Sequence, residues 1–531
     1  MLLKNLIKNI SKENKNIKIS GIATNSKKVK KNFIFFAIKG NKINGENFIN
    51  EAVYRGAKVI ICSKKCKIKF KNKKIIIIKT KNVRNFLSLI SSKFYTLKPK
   101  NIIAVTGTNG KTSVADTFLQ LLTINKIPAA SIGTLGVKYN NKVIKTDLTS
   151  PDTISLHKHL YYLKKKKIDN VIIEASSHGL DQQRLHYINF KAAIFTNFSQ
   201  DHLDYHKNMK SYLNAKLILI KEILSKKTTV ISDRTIKPFI LIKKIAQTRK
   251  LKVEDINNEI EKIKKIPSQT SIDFKIKNLA MTVKALKKCG IKSDLIYSSI
   301  KKLKDVSGRF ELVRKFTNNI KVFVDYAHTP DALLKTINSL KTNYGNNLSL
   351  VFGCGGNRDK KKRPLMARIA NQKCEKIYVT DDNPRNESPK KIRDELSKNI
   401  YTNKLFNIGN RKLAIKKAIK NAKPNEIILI AGKGHEKKQI YKNKILHISD
   451  KEIIKKINMK IKKITNKKLN FSQNRLILEK VTGKKKLVNF NGFSTDTRTI
   501  KKDNLFLALK GNKKDGNEFI SEALKKRAGC I

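Results

Sequence analysis

Short apolar runs of strand length recur along this chain of 531 residues, and most are followed by a glycine or polar turn and then a helix-like segment. These runs are KVIICS, KIIIIK, NIIAVTG, NVIIEAS, AAIFTN, KVFVDY, LSLVFG, KIYVTDD and EIILIAGKG. Continuous apolar runs that alternate with helices are typical of parallel sheets covered by helices on both faces. The pattern predicts an α/β protein whose chemistry lies in the loops at the carboxyl ends of the strands.

The formal net charge is +76, from 116 Lys and Arg residues against 40 Asp and Glu residues. Such a charge would ordinarily indicate nucleic-acid binding. Here the excess is mostly lysine, is spread along the whole chain, and comes with few aromatic residues between the basic runs and no Trp. Stacking platforms for bases are therefore not evident. We predict no nucleic-acid partner, because a phosphorylated or acidic small substrate accounts for the charge more simply.

The six cysteines form no zinc pattern, because Cys62 and Cys66 have no second Cys or His pair to complete one. No run approaches the ~20 apolar residues of a membrane span. The opening MLLKNLIKNISKENKN is too short in its apolar part for a signal peptide and favours an amphipathic helix. We predict a cytoplasmic protein with reduced thiols and no membrane span.

The stretch AVTGTNGKTS, residues 104–113, places a glycine-rich turn between a predicted strand and a predicted helix. Backbone N–H groups of such a turn, together with the helix N-terminus, bind phosphate oxygens. Lys111 would reach the terminal phosphates, and the Thr112 hydroxyl would bind Mg²⁺. Val105 stands where the strict phosphate-loop pattern has glycine, so a coincidental turn is the alternative.

Two further polar residues follow predicted strands: Glu174 in VIIEASSHGL and His202 in TNFSQDHLDYH. Taken singly, Glu174 could be a capping carboxylate and His202 an ordinary loop histidine. Because Mg²⁺ prefers oxygen ligands, a carboxylate near the phosphate loop is the first ligand to expect. Together with the loop, these residues predict a nucleotide and metal site.

Seven motifs resemble, in order and spacing, those of the Mur ligase family: GTNGKTS, EASSHGLDQQR, TNFSQDHLDYH, DYAHTPDAL, GCGGNRDKKKRPLM, DDNPR and AGKGHE. The resemblance covers about residues 20–460 and is greatest to the diaminopimelate-adding members. It implies a UDP-binding α/β domain over 1–98, a central P-loop ATPase domain over 99–309 and a Rossmann-like amino-acid-binding domain over 310–462.

The resemblance also implies a reaction of peptidoglycan synthesis, and through it a role in cell shape and division. ATP would phosphorylate the free D-Glu carboxylate of UDP-N-acetylmuramoyl-L-alanyl-D-glutamate, and the amine of meso-2,6-diaminopimelate would attack the acyl phosphate. A carboxylate is a poor electrophile until one oxygen becomes part of a phosphate leaving group. Mg²⁺ and Lys111 would offset the crowded negative charge. We expect a monomer.

Residue by residue, the resemblance implies the following ATP-binding set: Gly107, Thr108, Asn109, Gly110, Lys111, Thr112, Ser113, Asn278, Arg309 and Asp325, with His328 near Asp325. It implies four catalytic residues: Lys111, Lys216, Glu174 and His202. It implies four Mg²⁺ ligands: Thr112, Glu174, His202 and Lys216, the last carrying a carbamate derived from CO₂. A carbamate converts the lysine cation into an anion. The alternative for Lys216 is an ordinary helix-surface lysine.

For the muramoyl-peptide substrate, the resemblance implies contacts from Ser26, Thr149, Ser150, Ser176, Gln182 and Arg184. For diaminopimelate, it implies contacts from Arg358, Asp382, Asn383, Pro384, Arg385, Gly432 and Glu436. In the family, DNPR accompanies diaminopimelate, which differs from lysine by one extra carboxylate. A guanidinium is the natural bidentate partner for that carboxylate. The alternative for Arg385 is a solvated loop charge.

One segment departs from the family pattern. In IDFKIKNLAM, Asn278 is present, but Ile272 and Lys275 stand where glycine and asparagine are expected. The preceding segment from Asp233 to Phe274 looks short and richer in helix-forming charge than in strands. These changes put in doubt the adenine contacts and the edge of the central sheet.

The end of the chain repeats its beginning. Residues 506–520 read FLALKGNKKDGNEFI and residues 35–49 read FFAIKGNKINGENFI, at a constant offset of 492 − 21 = 471. The second copy, with Thr497 in the place of Ser26, resembles the opening of the D-alanyl-D-alanine-adding Mur ligases. It contains no phosphate loop or catalytic motif. We therefore expect 463–531 to be a linker and a truncated second N-terminal domain from a fusion, a frameshift or an incomplete gene model.

Two other functions remain open at this point. Another amide ligase of the same superfamily, such as a folylpolyglutamate synthase, is disfavoured by DNPR and HLDYH. A basic, nucleic-acid-binding P-loop protein would instead show salt-dependent DNA binding and nucleic-acid-stimulated ATP hydrolysis.

Overall fold

The computed structural model describes residues 1–40, 43–67, 75–266, 272–316, 318–457, 492–509 and 515–528. The chain divides into two compact units, Met1–Ile457 and Asn458–Ile531. Among the described residues, the first unit contains three sheets of four or more strands and one two-stranded hairpin sheet. Every one of the nine apolar runs singled out from the sequence forms a strand of these sheets.

The first sheet is parallel, with its four strands in sequence order. Its strands are β1 Gly21–Ala23, β2 Phe33–Phe36, β3 Ala57–Ser63 and β4 Ile76–Thr80. Its helices are α1 Leu3–Leu6, α2 Ile49–Tyr54 and α3 Val83–Phe94. The predicted amphipathic N-terminal helix is only the four residues of α1, followed by a 3-10 turn at Lys12–Asn14, and it buries Leu3 and Leu6. The prediction was right about the apolar face and wrong about the length.

The second sheet has eight strands in the order β12-β11-β10-β5-β9-β6-β7-β8. These are β5 Asn101–Thr106, β6 Ala129–Gly133, β7 Gly136–Tyr139, β8 Lys142–Ile144, β9 Asn170–Glu174, β10 Ala192–Phe195, β11 Thr229–Ser232 and β12 Lys252–Asp255. All neighbours are parallel except the antiparallel edge formed by β6, β7 and β8. Because β5 is central, the loop after it opens in the middle of the carboxyl edge, where α/β proteins place their ligands.

Helices cover both faces of this sheet, and an apolar core lies under each. The helices are α4 Lys111–Ile124, α5 Thr153–Lys165, α6 Ser177–Asp181, α7 Leu203–His206, α8 Met209–Ile218, α9 Phe239–Thr248, α10 Asn257–Lys264, α11 Asp273–Lys288 and α12 Ser293–Ser299. A π-helical turn, Leu219–Ile223, continues α8. The segment that departs from the family pattern is largely helical, as its charge suggested, yet it also supplies the edge strand β12. Buried residues of α10 and α11 share the core that packs around α4.

The third sheet has six strands in the order β13-β14-β18-β15-β16-β17, with only β13 antiparallel. Its strands are β13 Glu311–Lys315, β14 Lys321–Val324, β15 Leu348–Phe352, β16 Lys376–Val379, β17 Leu405–Asn407 and β18 Ile427–Ile430, and a hairpin, β19 Lys438–Ile440 and β20 Ile445–His447, follows. Its helices are α13 Pro330–Tyr344, α14 Lys362–Lys373, α15 Pro389–Ser397, α16 Arg411–Lys420 and α17 Asp450–Lys455. The local sequence explains where α13 begins. The Thr329 hydroxyl accepts from Ala332 N as an N-cap, and Pro330 occupies the first turn.

The second unit repeats the start of the first in structure as well as in sequence. Its strands β21 Gly492–Ser494 and β22 Asn504–Phe506 pair in parallel, with Gly492 opposite Asn504 just as Gly21 is opposite Phe33. A tail helix, Ile520–Lys525, occupies the place of α2, again at an offset of 520 − 49 = 471. Asp515 and Asn44 cap equivalent 3-10 turns. Among the described residues, no helix of either unit is long and apolar enough to span a bilayer.

His157, on α5, makes the fold sensitive to acid. It is fully buried, and burial, together with nearby Lys98, lowers its pKa from 6.5 to about 3. The unfolded chain therefore binds a proton below about pH 6.5 that the folded chain refuses, so the free energy of unfolding falls as the pH drops from 6.5 towards 3.

In the unmodified protein, we expect the free energy of unfolding to lose about 2 kcal/mol through His157 when the pH falls from 7.5 to 5. The His157→Leu variant should not show this loss. Urea unfolding at the two pH values measures the difference. His159→Leu, two residues along the same helix at a half-exposed position, should give a smaller change. Equal pH dependence in the His157→Leu variant and the unmodified protein would contradict the assignment.

Candidate active site

The loop between β5 and α4 is held open by glycine. Gly107 has φ +132° and Gly110 has φ +89°, which are conformations that residues with a side chain rarely adopt. A methyl group on Gly107 would lie 2.0 Å from Thr196 Oγ1, and one on Gly110 would lie 2.6 Å from Asn278 Oδ1. The loop is thus packed on β10 from one side and on α11 from the other, with the N-terminus of α4 directed into it.

Two lysines converge on this loop. Lys111 Nζ donates to the carbonyl oxygens of Gly107 and Thr108, both at 2.8 Å, and Lys216 Nζ donates to the same Gly107 oxygen at 2.7 Å. Lys216 is 1% exposed, and its ammonium lies 4.5 Å from the centre of the Tyr212 ring. A helix-surface lysine is therefore excluded. Burial, and secondarily the charge of Lys111, hold the pKa of Lys216 well below its usual range.

Glu174 lies beside the loop at the end of β9. Its Oε2 accepts from the Thr112 hydroxyl at 3.0 Å, and its Oε1 accepts from Thr134 N at 2.9 Å. Arg309 Nη2 donates to the Thr112 hydroxyl at 3.1 Å from the far side. The hydroxyl and carboxylate oxygens fit Mg²⁺, whose remaining ligands are usually water and phosphate oxygens. Among the described residues, no three His, Cys, Asp or Glu side chains cluster as a metal site of their own.

His202 begins α7 in a left-handed conformation, φ 55°, and its Nε2 lies 3.3 Å from Asp201 Oδ2. His328 Nε2, from the loop after β14, lies 3.3 Å from the same oxygen, and Lys362 Nζ lies 3.7 Å from Oδ1. Burial alone would raise the pKa of Asp201, but His202, Lys362 and His328 hold it well below its usual range. This carboxylate joins the second sheet to the third.

The residues expected to bind diaminopimelate come together at the carboxyl edge of the third sheet. Arg385 has φ 53°, and its Nη1 donates to Gly356 O at 2.9 Å and to Asn383 O at 3.3 Å. The Asn383 amide donates to Glu436 Oε2 at 2.8 Å. Gly432, at φ +104°, leaves room for the Asp382 carboxylate, which a methyl group would meet at 2.7 Å. Arg385 is half-buried, so it is more enclosed than a solvated loop charge.

The residues expected to bind the muramoyl peptide divide into two groups. Ser150 Oγ donates to Glu174 O at 2.7 Å and lies 2.9 Å from Ser176 Oγ. Arg184 Nη1 donates to Ser150 O at 2.7 Å, and its Nη2 donates to Gln182 Oε1 at 2.6 Å. Ser26 lies in the first sheet layer, where its hydroxyl donates to Glu51 Oε2 at 2.7 Å, and it does not line the cleft described below.

Asp325, expected at the nucleotide, is engaged by the protein itself. Its Oδ1 accepts from Tyr326 N at 2.7 Å and Phe310 N at 3.2 Å, and its Oδ2 accepts from the Thr336 hydroxyl at 2.7 Å. These bonds give it a role in shaping the turn after β14.

One cleft of about 2120 Å³ joins these groups. Its walls include most of the expected residues: Thr108, Asn109, Gly110, Lys111, Thr112, Ser113, Thr149, Glu174, Ser176, Arg184, His202, Lys216, Asn278, Arg309, Asp325, His328, Arg358, Asp382, Asn383, Arg385, Gly432 and Glu436. Gly107, Ser150, Gln182 and Pro384 lie just behind this lining, next to the residues described above. The second and third sheets thus face each other across a single chamber.

Three family models match the chain: "Mur ligase family, catalytic domain" over 18–95, "Mur ligase middle domain" over 105–292, and "Mur ligase, glutamate ligase domain" over 308–434. A UDP-N-acetylmuramoyl-L-alanyl-D-glutamate–2,6-diaminopimelate ligase of Rickettsia montanensis is 39% identical over 466 residues, covering 83% of this chain and 96% of the relative. The chain belongs to the Mur ligase family. A protein of the same name from Fusobacterium nucleatum is 37% identical over 473 residues, 85% of this Mur ligase and 96% of the relative.

A solved structure titled as that same diaminopimelate ligase has a TM-score of 0.60 and 27% identity, covering 86% of this Mur ligase and 98% of that chain. The MurF ligase of Thermotoga maritima in complex with ADP has a TM-score of 0.51 and 17% identity, covering 77% and 93%. The folylpolyglutamate synthase of Mycobacterium tuberculosis has a TM-score of 0.53 and 16% identity, covering 65% and 91%. At these identities the last two share the fold alone.

The cleft of this Mur ligase also contains Thr134, Asp201 and Lys362, which were not predicted from the sequence. Asp201 stands beside His202, and Lys362 lies in the run DKKKRP. Thr134 directly follows β6, and its hydroxyl donates to Glu174 Oε2 at 3.1 Å. Position at the carboxyl end of a strand could have identified Thr134, and proximity to His202 could have identified Asp201, whereas Lys362 is indistinguishable in sequence from its lysine neighbours.

Gly110→Ala tests the phosphate-loop geometry. The added methyl group meets Asn278 and forces a strained φ, so we expect ATP affinity to fall roughly 10-fold or more, for ~1–3 kcal/mol of strain. Gly290→Ala is the matched control, because Gly290 has φ +84° but nothing within 4 Å of its added methyl group. Isothermal titration with ATP should show near-normal affinity for the control, and unchanged affinity in both variants would contradict this geometry.

Proposed function

We propose that this Mur ligase adds meso-2,6-diaminopimelate to UDP-N-acetylmuramoyl-L-alanyl-D-glutamate at the expense of ATP. The observation that carries the proposal is the single chamber in which a phosphate loop and its carboxylate face a pocket holding both guanidinium and carboxylate groups. Such a chamber can bring a nucleotide, an acid and an amine together. The names of the relatives agree with this reaction.

The first step is phosphorylation of the D-Glu carboxylate. We assign the γ-phosphate to the loop N–H groups and to Lys111, because cations and helix N-termini stabilise phosphate charge. Arg309 is held over the Tyr326 ring, 3.9 Å from its centre, and reaches the Thr112 hydroxyl. From there its guanidinium can neutralise charge as the phosphoryl group moves. Each of these cations acts without having to move far.

Thr112 and Glu174 would hold Mg²⁺, with His202 and a carbamate on Lys216 as the ligands of a second ion. When bound, these ions shield the nucleotide phosphates from the approaching carboxylate. The lowered pKa of Lys216 supports the carbamate, since only a neutral amine attacks CO₂. As a carbamate, Lys216 would be an anion. It would replace one of the two ammonium groups that donate to the Gly107 carbonyl oxygen with a negative charge.

The second step is attack by an amine of diaminopimelate on the acyl phosphate. We assign the far carboxylate of this substrate to Arg385 and Arg358, and the far ammonium to Glu436 and Asp382. Lysine lacks that carboxylate and would leave the two guanidinium groups without a ligand partner. Phosphate then leaves as the tetrahedral intermediate collapses to the amide.

Ser26, Thr149, Ser150, Ser176, Gln182 and Arg184 are the proposed contacts of the UDP-muramoyl peptide. We also propose domains over 1–98, 99–309 and 310–462, each built on one of the three larger sheets. We propose that the repeated fragment over 463–531 takes no part in catalysis. Because the reaction uses ATP and a UDP-linked precursor, we assign it to the cytoplasm. We propose a monomer as the working state.

Phosphate release with each amino acid tests this proposal. We expect release that requires the UDP-muramoyl dipeptide and is at least roughly 100-fold more efficient with diaminopimelate than with lysine, because lysine forfeits the charge-assisted bonds from a carboxylate to Arg385 and Arg358. Arg385→Met should lose most of this preference. Arg368→Met is the control, since Arg368 is an exposed arginine of α14 outside the cleft.

Two results would contradict the proposal. One is phosphate release stimulated by nucleic acid rather than by the dipeptide. The other is an equal preference for lysine and diaminopimelate in the unmodified enzyme.

A further inference from the structure

Lys433, in the turn that follows β18, is a fully buried lysine that the proposed reaction does not use. Lysine is almost never fully buried without partners. Its ammonium donates to Lys438 O at 2.6 Å, to Glu436 Oε2 at 3.2 Å and to Asn383 Oδ1 at 3.3 Å. An ammonium has three donors, and all three are therefore committed. Two of the acceptors belong to the proposed diaminopimelate pocket.

The contact with Asn383 determines what that side chain can offer a ligand. Asn383 Oδ1 also accepts from Ile440 N at 3.0 Å, so both of its acceptor positions are filled. One amide N–H is donated to Glu436 Oε2. The second N–H is the only hydrogen-bonding position left, which makes Asn383 a donor towards any bound substrate.

The contact with Glu436 orients its carboxylate. Oε2 accepts from Lys433 and Asn383, while Oε1 accepts from the Tyr326 hydroxyl at 3.4 Å and keeps a second lone pair for a ligand. Burial would raise the pKa of Glu436, and Lys433 is the main group that holds it below its usual value. Glu436 remains about 31% exposed, while Lys433 behind it has no exposure. The carboxylate faces the cleft with its counter-ion on the protein side.

We propose that Lys433 is a positioning residue that makes this pocket select an amino-acid end carrying both a carboxylate and an ammonium, by fixing Glu436 as acceptor and Asn383 as donor. The inference rests on the proposed function, because diaminopimelate carries such an end in addition to its reacting amine. Arg385 would bind the carboxylate of that end and Glu436 its ammonium. Lys433 touches neither and acts through the two side chains it holds.

The test uses two acceptors, diaminopimelate and 2-aminopimelate, which keeps both carboxylates but lacks the second amine. The readout is the ratio of kcat/KM for the two acceptors, measured by phosphate release with the full chain. In Lys433→Met we expect this ratio to fall roughly 10-fold or more, because Glu436 is no longer held in place to accept from the ammonium of the ligand. The fall should come from a higher KM for diaminopimelate. The KM for ATP should stay within about twofold, because the phosphate loop is untouched.

Lys376→Met is the matched control. Lys376 lies in the same sheet, donates to Asn421 O at 2.9 Å and pairs with the buried Glu426 at 3.2 Å, but does not line the cleft. The Lys376→Met substitution should lower the free energy of unfolding and leave the ratio of kcat/KM for the two acceptors unchanged. Glu436→Gln, which keeps Lys433 in place, should lower the ratio as Lys433→Met does, and the double variant should lower it no further than either single change.

The outcomes separate cleanly. Equal losses for both acceptors in Lys433→Met would make Lys433 a residue of the fold only and overturn the inference. If Lys433→Met does not fold, an unchanged ratio in Glu436→Gln overturns it equally. An unmodified enzyme that releases no phosphate with diaminopimelate would overturn the proposed function itself.

Discussion

The ammonium groups of the partly buried Lys111 and the fully buried Lys216 share one carbonyl oxygen in the loop after β5, and the site is arranged around them. Lys111 and Lys216 both donate to Gly107 O, at 2.8 and 2.7 Å. Placing like charges together away from water is costly unless anions compensate them. The carboxylates of Glu174 and Asp201 are the nearest compensation for Lys111. The loop therefore suits a polyanionic ligand. Its glycines, the N-terminus of α4 and the packing of α11 hold it in the conformation that such a ligand requires.

The third sheet presents the complementary half of the site. Its carboxyl edge holds both guanidinium groups and carboxylates, and the ion pair of Arg411 and Asp450 is fully buried in the same domain. Asp201 connects the halves, because His328 and Lys362 of the third sheet layer contact this carboxylate of the second. The two halves that we propose for phosphate transfer and for amine recognition are therefore linked by a direct electrostatic contact.

The sequence was a good guide where chemistry follows strand order. Every apolar run became a strand, and the glycine-rich turn and Glu174 fell at carboxyl ends because parallel strands place them there. It failed where a property depends on packing between distant segments. Lys433 is buried among partners that no local pattern reveals in a chain so rich in lysine, and Lys216 was singled out only through the family resemblance. The N-terminal helix was predicted too long, because its two buried residues, Leu3 and Leu6, lie within a single turn.

In the proposed reaction, the two halves of the cleft cooperate through an acyl phosphate. The most direct measurement labels the D-Glu carboxylate of the UDP-muramoyl dipeptide with ¹⁸O and follows the label through one turnover with ATP and diaminopimelate. We expect one labelled oxygen in the released phosphate, because the carboxylate oxygen that attacks the γ-phosphate leaves with it. Amide product formed together with unlabelled phosphate, the second labelled oxygen having gone to ADP or to water, would contradict an acyl phosphate.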